Sequence, residues 1–311
     1  MSAMRAESAI VDIARDFLAA HRALRAIGAS EAAGSLRFDE VREFVGDDER
    51  SVLFRLKERC HALFRGDDSE IATSALFDLA VGSLFHEAMK LREHVYQADV
   101  YAPKVAALRA RGVSDESGLL AEFDKLVRDA RVRLKESVAE SRVLLGRTTA
   151  QFRVLLSSYA DNGLLARFLV ENAGELARAF DRSEDAALAD LHGSAGAAWR
   201  RAAWSYLASG FFAEATRALA EAERRGERGP ELVRQRAFAD GMSAYLAGRY
   251  DAALSGLEAW VGAQPGGDEL RLAALAASAM AGAKKLAASD AALSQRAAQL
   301  ADRLRALSSR A

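Results

Sequence analysis

Only three prolines, Pro103, Pro230 and Pro265, interrupt 311 residues. An interior proline costs a helix about 3 kcal/mol, so their scarcity leaves long segments free to be helical. Within those segments apolar residues return at spacings of three, four and seven, the signature of one buried helix face. The chain is therefore expected to be all-α. Half of its residues are apolar, enough to fill a core without disulfides or metals, and its length suits two domains.

Residues 5–27 read as a first amphipathic helix on Ile10, Ile13, Phe17, Leu24 and Ile27, with Gly28 as its stop. Shorter helices are expected at 38–45 and 48–64, the second ended by Gly66. Asp67, Asp68 and Ser69 offer caps for a helix from 69 to about 101, which Pro103 should end or kink. Ser114, Asp115 and Glu116 open the longest candidate. Its residues Phe123, Val127, Ala130, Leu134, Ser141, Leu145, Thr148, Phe152 and Tyr159 follow a spacing near 3.5. Unbroken to Tyr159, it would be about 68 Å long at 1.5 Å per residue, and needs a partner along its length. That partner is either the 69–101 helix or, in a homodimer through 115–159, a second copy of the chain.

Asp161, Asn162 and Gly163 break that helix, and further helices follow at about 164–180 and 184–191. The small, flexible run HGSAGAA at 192–198 reads as the domain boundary, giving a helical bundle with long helices over 1–192 and a second domain over 193–311.

One pattern then occurs twice. Its first copy is Trp199, Tyr206, Gly210, Phe212, Ala215, Leu219 and Ala222; its second is Gly241, Gly248, Tyr250, Ala253, Leu257 and Pro265. Each has a turn glycine, an aromatic two residues on, and small residues that let paired helices lie close. Over about a quarter of the chain, 196–265, this resembles the tetratricopeptide repeat (TPR), with a glycine and aromatics, then A-x3-F, then a closing proline. Gly210 and Gly248 stand 38 residues apart, so the family's period of about 34 carries a short insertion, placed at Arg224–Glu231. Ala202 and Ala203 stand where the family prefers leucine and glycine, Ala237 where it prefers tryptophan, and Trp260 where a small residue is usual. A helix at 268–283 and a last one from Ser289 to Leu307 would cap the stack.

The resemblance implies a non-enzymatic adaptor or scaffold that binds another protein. On the first helix of each hairpin, Arg200, Trp204, Leu207, Phe238, Met242 and Tyr245 would line the concave face. That face is apolar and aromatic, which suits a partner's amphipathic helix or apolar peptide segment. The same groove could instead be filled from within the chain, by the N-terminal domain or by the 289–307 helix.

Other chemistries find less support. His86, Glu87, Lys90, Glu93, His94 and Gln97 crowd one helix, but without the His-x-x-x-His or Glu-x-x-His spacing of a metal site. A helical enzyme or metal protein using His86, Glu87, Glu93 and His94 is the alternative reading, and a salt-bridged solvated face the plainer one. Cys60 and His61 are adjacent and point about 100° apart on a helix, so they do not make a nucleophile and base. No phosphate-binding glycine loop, dinucleotide fingerprint or nucleophile elbow is present, and neither cofactor nor metal is expected. Arg128, Arg131, Lys135 and Arg142, and again Arg224, Arg225 and Arg228, could touch phosphates. Acidic neighbours Asp129, Glu136 and Glu140 and a net charge of −1 make nucleic acid an unfavoured partner. The N-terminus has no apolar signal core, the apolar stretch Leu272–Ala283 falls short of the ~20 residues that span a bilayer, and the cysteine is single. No membrane association and a cytoplasmic location are expected. The excess of arginine over lysine is as well explained by a GC-rich bacterial genome as by guanidinium chemistry.

Overall fold

The computed structural model describes residues 3–64, 71–115, 118–286 and 290–309. The proposed stop at Gly66, the caps Asp67, Asp68 and Ser69, and the positions Glu116 and Ser289 lie outside them. Among the described residues every regular element is helical, as the proline scarcity and apolar spacing require. The chain divides into two compact units, residues 1–159 with 174–184, and residues 160–173 with 185–311.

In the first unit α1 (Ala3–Ala32) runs through Gly28 rather than stopping there. Ile10, Ile13, Phe17, Leu24 and Ile27 are all fully buried, as their spacing demands. The short α2 (Phe38–Phe44) and α3 (Val52–Phe64) follow. Next comes α4 (Ile71–Val95), which passes through one π-helical turn, Tyr96–Tyr101, into α5 (Ala102–Ala110). Pro103 sits in the first turn of α5, directly after the π turn, so the helix changes its winding at the proline rather than ending there. The long α6 (Leu119–Ser158) packs along α4 and against α1, so its partner within the chain is the expected one. Phe17 stacks on Phe152 with ring centroids 3.8 Å apart, and Phe77 lies 5.7 Å from Phe152, tying α1, α4 and α6 together.

The expected helix over 164–180 is two. Asn162 caps α7 (Gly163–Glu171) by accepting from the Leu165 N–H at 3.0 Å. Asn172 closes it, and α8 (Ala173–Phe180) begins afresh. After α9 (Glu184–His192), Ser194 caps α10 (Ala195–Ala208). The boundary expected at 192/193 thus falls inside the second unit. The reason is tertiary: α7 packs on α10, where Tyr206 donates to Glu171 at 2.5 Å and Arg167 lies 4.5 Å from the Tyr206 ring.

Beyond α10 come α11 (Phe212–Arg224), α12 (Pro230–Leu246) and α13 (Tyr250–Gly262). A 3-10 turn (Gly267–Leu270) leads to α14 (Arg271–Leu286) and α15 (Ala291–Ser308). These helices pack in consecutive pairs, α10 with α11, α12 with α13 and α14 with α15. The first two pairs turn identically. Gly210 and Gly248 have φ of 78° and 72°, and the N–H of the next residue reaches back to Tyr206 and Ala244 carbonyls at 2.9 Å in both. Only glycine takes that left-handed conformation without strain, and the turn closes the helix by satisfying its last carbonyls. The helices of the second pair touch at glycine on glycine: a Cβ on Gly256 would lie 2.8 Å from Gly241 Cα.

Candidate functional site

The register of α10 and α12 decides which expected groove residues reach the surface. Leu207, Phe238 and Met242 do not: they are 0%, 0% and 2% exposed. Phe238 lies edge-on between Phe212, at 6.1 Å, and Trp260, at 4.9 Å. The expected apolar concave face is corrected on this point, because α12 packs on α11, α13 and α14 at once and α10 is flanked by α7 and α11. A helix covered on several sides buries its apolar residues all round. Tyr245 is half-buried, its hydroxyl filling the space beside Gly282, 2.5 Å from where a Cβ would stand, and its ring 6.1 Å from Tyr250.

Arg200 and Trp204 do come together, in a pocket of about 490 Å³ within the second unit. Arg201, Arg234, Gln235 and Glu269 join them there. Paired charges frame it: Arg200 to Glu231 at 2.5 Å, Arg201 to Asp161 at 2.8 Å, and Arg234 to Glu269 at 2.7 Å. Four side-chain atoms of these lining residues are buried without a hydrogen-bond partner among the described residues, the acceptors Gln235 Oε1 and Glu269 Oε1 and the donors Arg200 Nε and Arg201 Nη1. Gln235 is 3% exposed and Glu269 5%. An unsatisfied buried polar group costs about 1–3 kcal/mol, which marks this pocket as the candidate site of the second unit. Chemically, the pocket offers both acceptors and a donor beside an indole. Gln235 is marked in the sequence itself: it occupies the same buried register as Leu232, Ala239 and Met242, where a polar residue is out of place.

The cluster on α4 and its π turn does not converge. Glu87 pairs with Lys90 at 2.8 Å, Gln97 donates to Glu93 at 2.8 Å, and His94 Nδ1 lies 2.9 Å from Ser137 Oγ. Burial and the charge of Arg133 hold His94 below its ordinary range, and His86 is exposed. Among the described residues no group of three His, Cys, Asp or Glu side chains could hold a metal ion. Cys60 is fully buried, its thiol pushed up by that burial and by Asp78 and Asp16, while His61 turns to Asp78 at 3.2 Å.

Of the arginine clusters, Arg224 and Arg225 are held by Glu221, and Arg228 donates to the carbonyls of Glu223 and Glu227. On α6, Arg128, Arg131, Lys135 and Arg142 are exposed and have no ion-pair partner among the described residues, so Asp129, Glu136 and Glu140 do not neutralise them by direct contact. No helix among the described residues is long and apolar enough to cross a membrane. No family model, no curated protein and no solved structure matches the chain.

Proposed function

We propose that the chain is a non-enzymatic adaptor whose second unit is a TPR-like module binding a peptide segment of a partner protein. One observation carries the reading: Arg201, Gln235 and Glu269, each with a buried side-chain atom outside any hydrogen bond among the described residues, line the same pocket as Trp204. A peptide main chain brings N–H donors and carbonyl acceptors in alternation, which suits the amide, carboxylate and guanidinium groups lining this pocket, while a side chain packs on the indole. The matching turns at Gly210 and Gly248 support the repeat resemblance. The expected ligand shifts accordingly, from an apolar segment held by buried aromatics to a polar main chain held by buried hydrogen-bonding groups. A cytoplasmic location belongs to the same reading, supported by the unpaired thiol of Cys60.

The test is affinity purification from the native cell with wild type, Gln235→Leu and Trp204→Ala, each checked by circular dichroism. Gln235→Leu removes an unsatisfied group from a buried site and keeps the fold. It is expected to lose a protein that wild type captures. Capture of the same proteins by wild type and Gln235→Leu would sink the proposal.

A further inference from the structure

A cleft of about 660 Å³ in the first unit opens between α1, α6 and the turn after α8. Its floor is apolar, with Leu24, Leu145 and Phe180, and its rim carries Arg25, Arg142, Arg153 and Arg182 against one acid among the lining residues, Asp181. Two of these arginines are already engaged. Arg25 pairs with Glu175 at 2.8 Å, and Arg153 donates to the Phe180 carbonyl at 3.2 Å with its guanidinium 4.5 Å from the Phe180 ring. Arg142 and Arg182 have no carboxylate partner among the described residues.

The exposed Arg142 side chain lays its guanidinium over the neighbouring helix. A Cβ on Gly28 would stand 1.7 Å from Arg142 Nη2, so the guanidinium occupies the space that any other residue at 28 would fill. Glycine inside a helix is unfavourable relative to alanine, yet α1 carries one where this guanidinium crosses it. His21 adds no charge at neutral pH, because burial and Arg25 lower its pKa to about 4, and its Nε2 lies 2.8 Å from Thr149 Oγ1. A concave site rich in one sign of charge concentrates opposite charge, and the guanidinium fork matches phosphate and carboxylate oxygens two at a time.

We propose that this cleft binds a small organic anion bearing a phosphoryl group or paired carboxylates, with its charge on Arg142 and Arg182 and its carbon skeleton on Leu24, Leu145 and Phe180. The site is independent of the peptide pocket of the second unit. Isothermal titration of the full chain with inorganic pyrophosphate and with citrate, at constant ionic strength, tests it. One saturable site per chain is expected, and the tighter of the two probes identifies the anion chemistry. Arg142→Gln and Arg182→Gln should each weaken binding about tenfold, the loss of one charge-assisted contact. Gly28→Ala should weaken it comparably by expelling the Arg142 guanidinium, with thermal stability unchanged or raised because alanine favours the helix. Absence of saturable binding for both probes overturns the proposal, as does affinity unchanged by Arg142→Gln and Arg182→Gln. A Gly28→Ala protein that melts lower while binding as wild type would assign Arg142 to packing alone and overturn it equally.

Discussion

Replacing Gly256 with alanine pits two known effects against each other in one helix. Alanine at a helix-interior glycine gains up to about 1 kcal/mol in propensity. At Gly256, however, the new Cβ would meet Gly241 Cα at 2.8 Å, Gly241 N at 3.0 Å and the Ala237 carbonyl oxygen at 3.1 Å. All three are backbone atoms, so no rotamer change can relieve the contact. Ordinary contact begins near 3.4 Å, so α12 and α13 must separate by several tenths of an ångström at least. The separation loosens Ala253, Leu254, Leu257 and Trp260, all fully buried along α13. Overpacking of this kind costs about 1–3 kcal/mol. With a propensity gain of about 1 kcal/mol subtracted, Gly256→Ala should destabilise by up to about 2 kcal/mol. Gly262, which ends the same helix with nothing within 4 Å of its Cβ position, is the control, and Gly262→Ala should stabilise by about 0.5–1 kcal/mol. In thermal melts followed by far-ultraviolet circular dichroism, Gly256→Ala should lower Tm by up to about 4 °C and Gly262→Ala raise it by about 2 °C. A Gly256→Ala protein melting at or above wild type would refute the claim that this helix crossing requires glycine.

Burial, and then the charges of Arg201 and Arg25 respectively, lower the pKa of His192 and His21 to about 4. Between pH 6.5 and 4 the unfolded chain therefore binds more protons than the folded one. Stability contributed by each neutral imidazole is complete above pH 6.5 and lost as pH falls towards 4, by up to about 3 kcal/mol per group; Tm measured against pH should fall across that window, and less steeply in His192→Gln. Cys60, buried with its thiol pKa raised, should react with a thiol reagent only once denaturant unfolds the chain, and rapid native-state labelling would contradict its packing. Gln264 holds φ of 55° just after α13, where a side chain is strained, so Gln264→Gly should raise stability by about 0.5–1 kcal/mol in urea unfolding, whereas a loss would show that the side chain is needed there.

What could be read from the sequence was local. The apolar periodicity gave the course of α1, α4 and α6 and the buried face of α1, but Leu76 and Leu79 of α4 and Phe123 of α6, though in phase with the apolar spacing, are exposed. Asn162 as a break and the turns at Gly210 and Gly248 were equally legible, because cap and turn chemistry involves only the few residues around each. Gly28 was misread for the complementary reason: a glycine that ends a helix and one that admits a distant guanidinium look the same until Arg142 of α6 is placed beside it. The burial of Leu207, Phe238 and Met242 followed from how many neighbours α10 and α12 have, a number that no single helix records. The unit boundary near residue 160 likewise came from α7 packing on α10. Both candidate sites are products of such long-range packing. The polar pocket gathers α10, α12, the turn before α14 and the residues before α7, while the basic cleft gathers α1, α6 and the turn after α8. Sequence alone determined where most of this chain is helical; only the tertiary structure decided which apolar and polar groups each helix buries, because that depends on contacts between residues far apart in the chain.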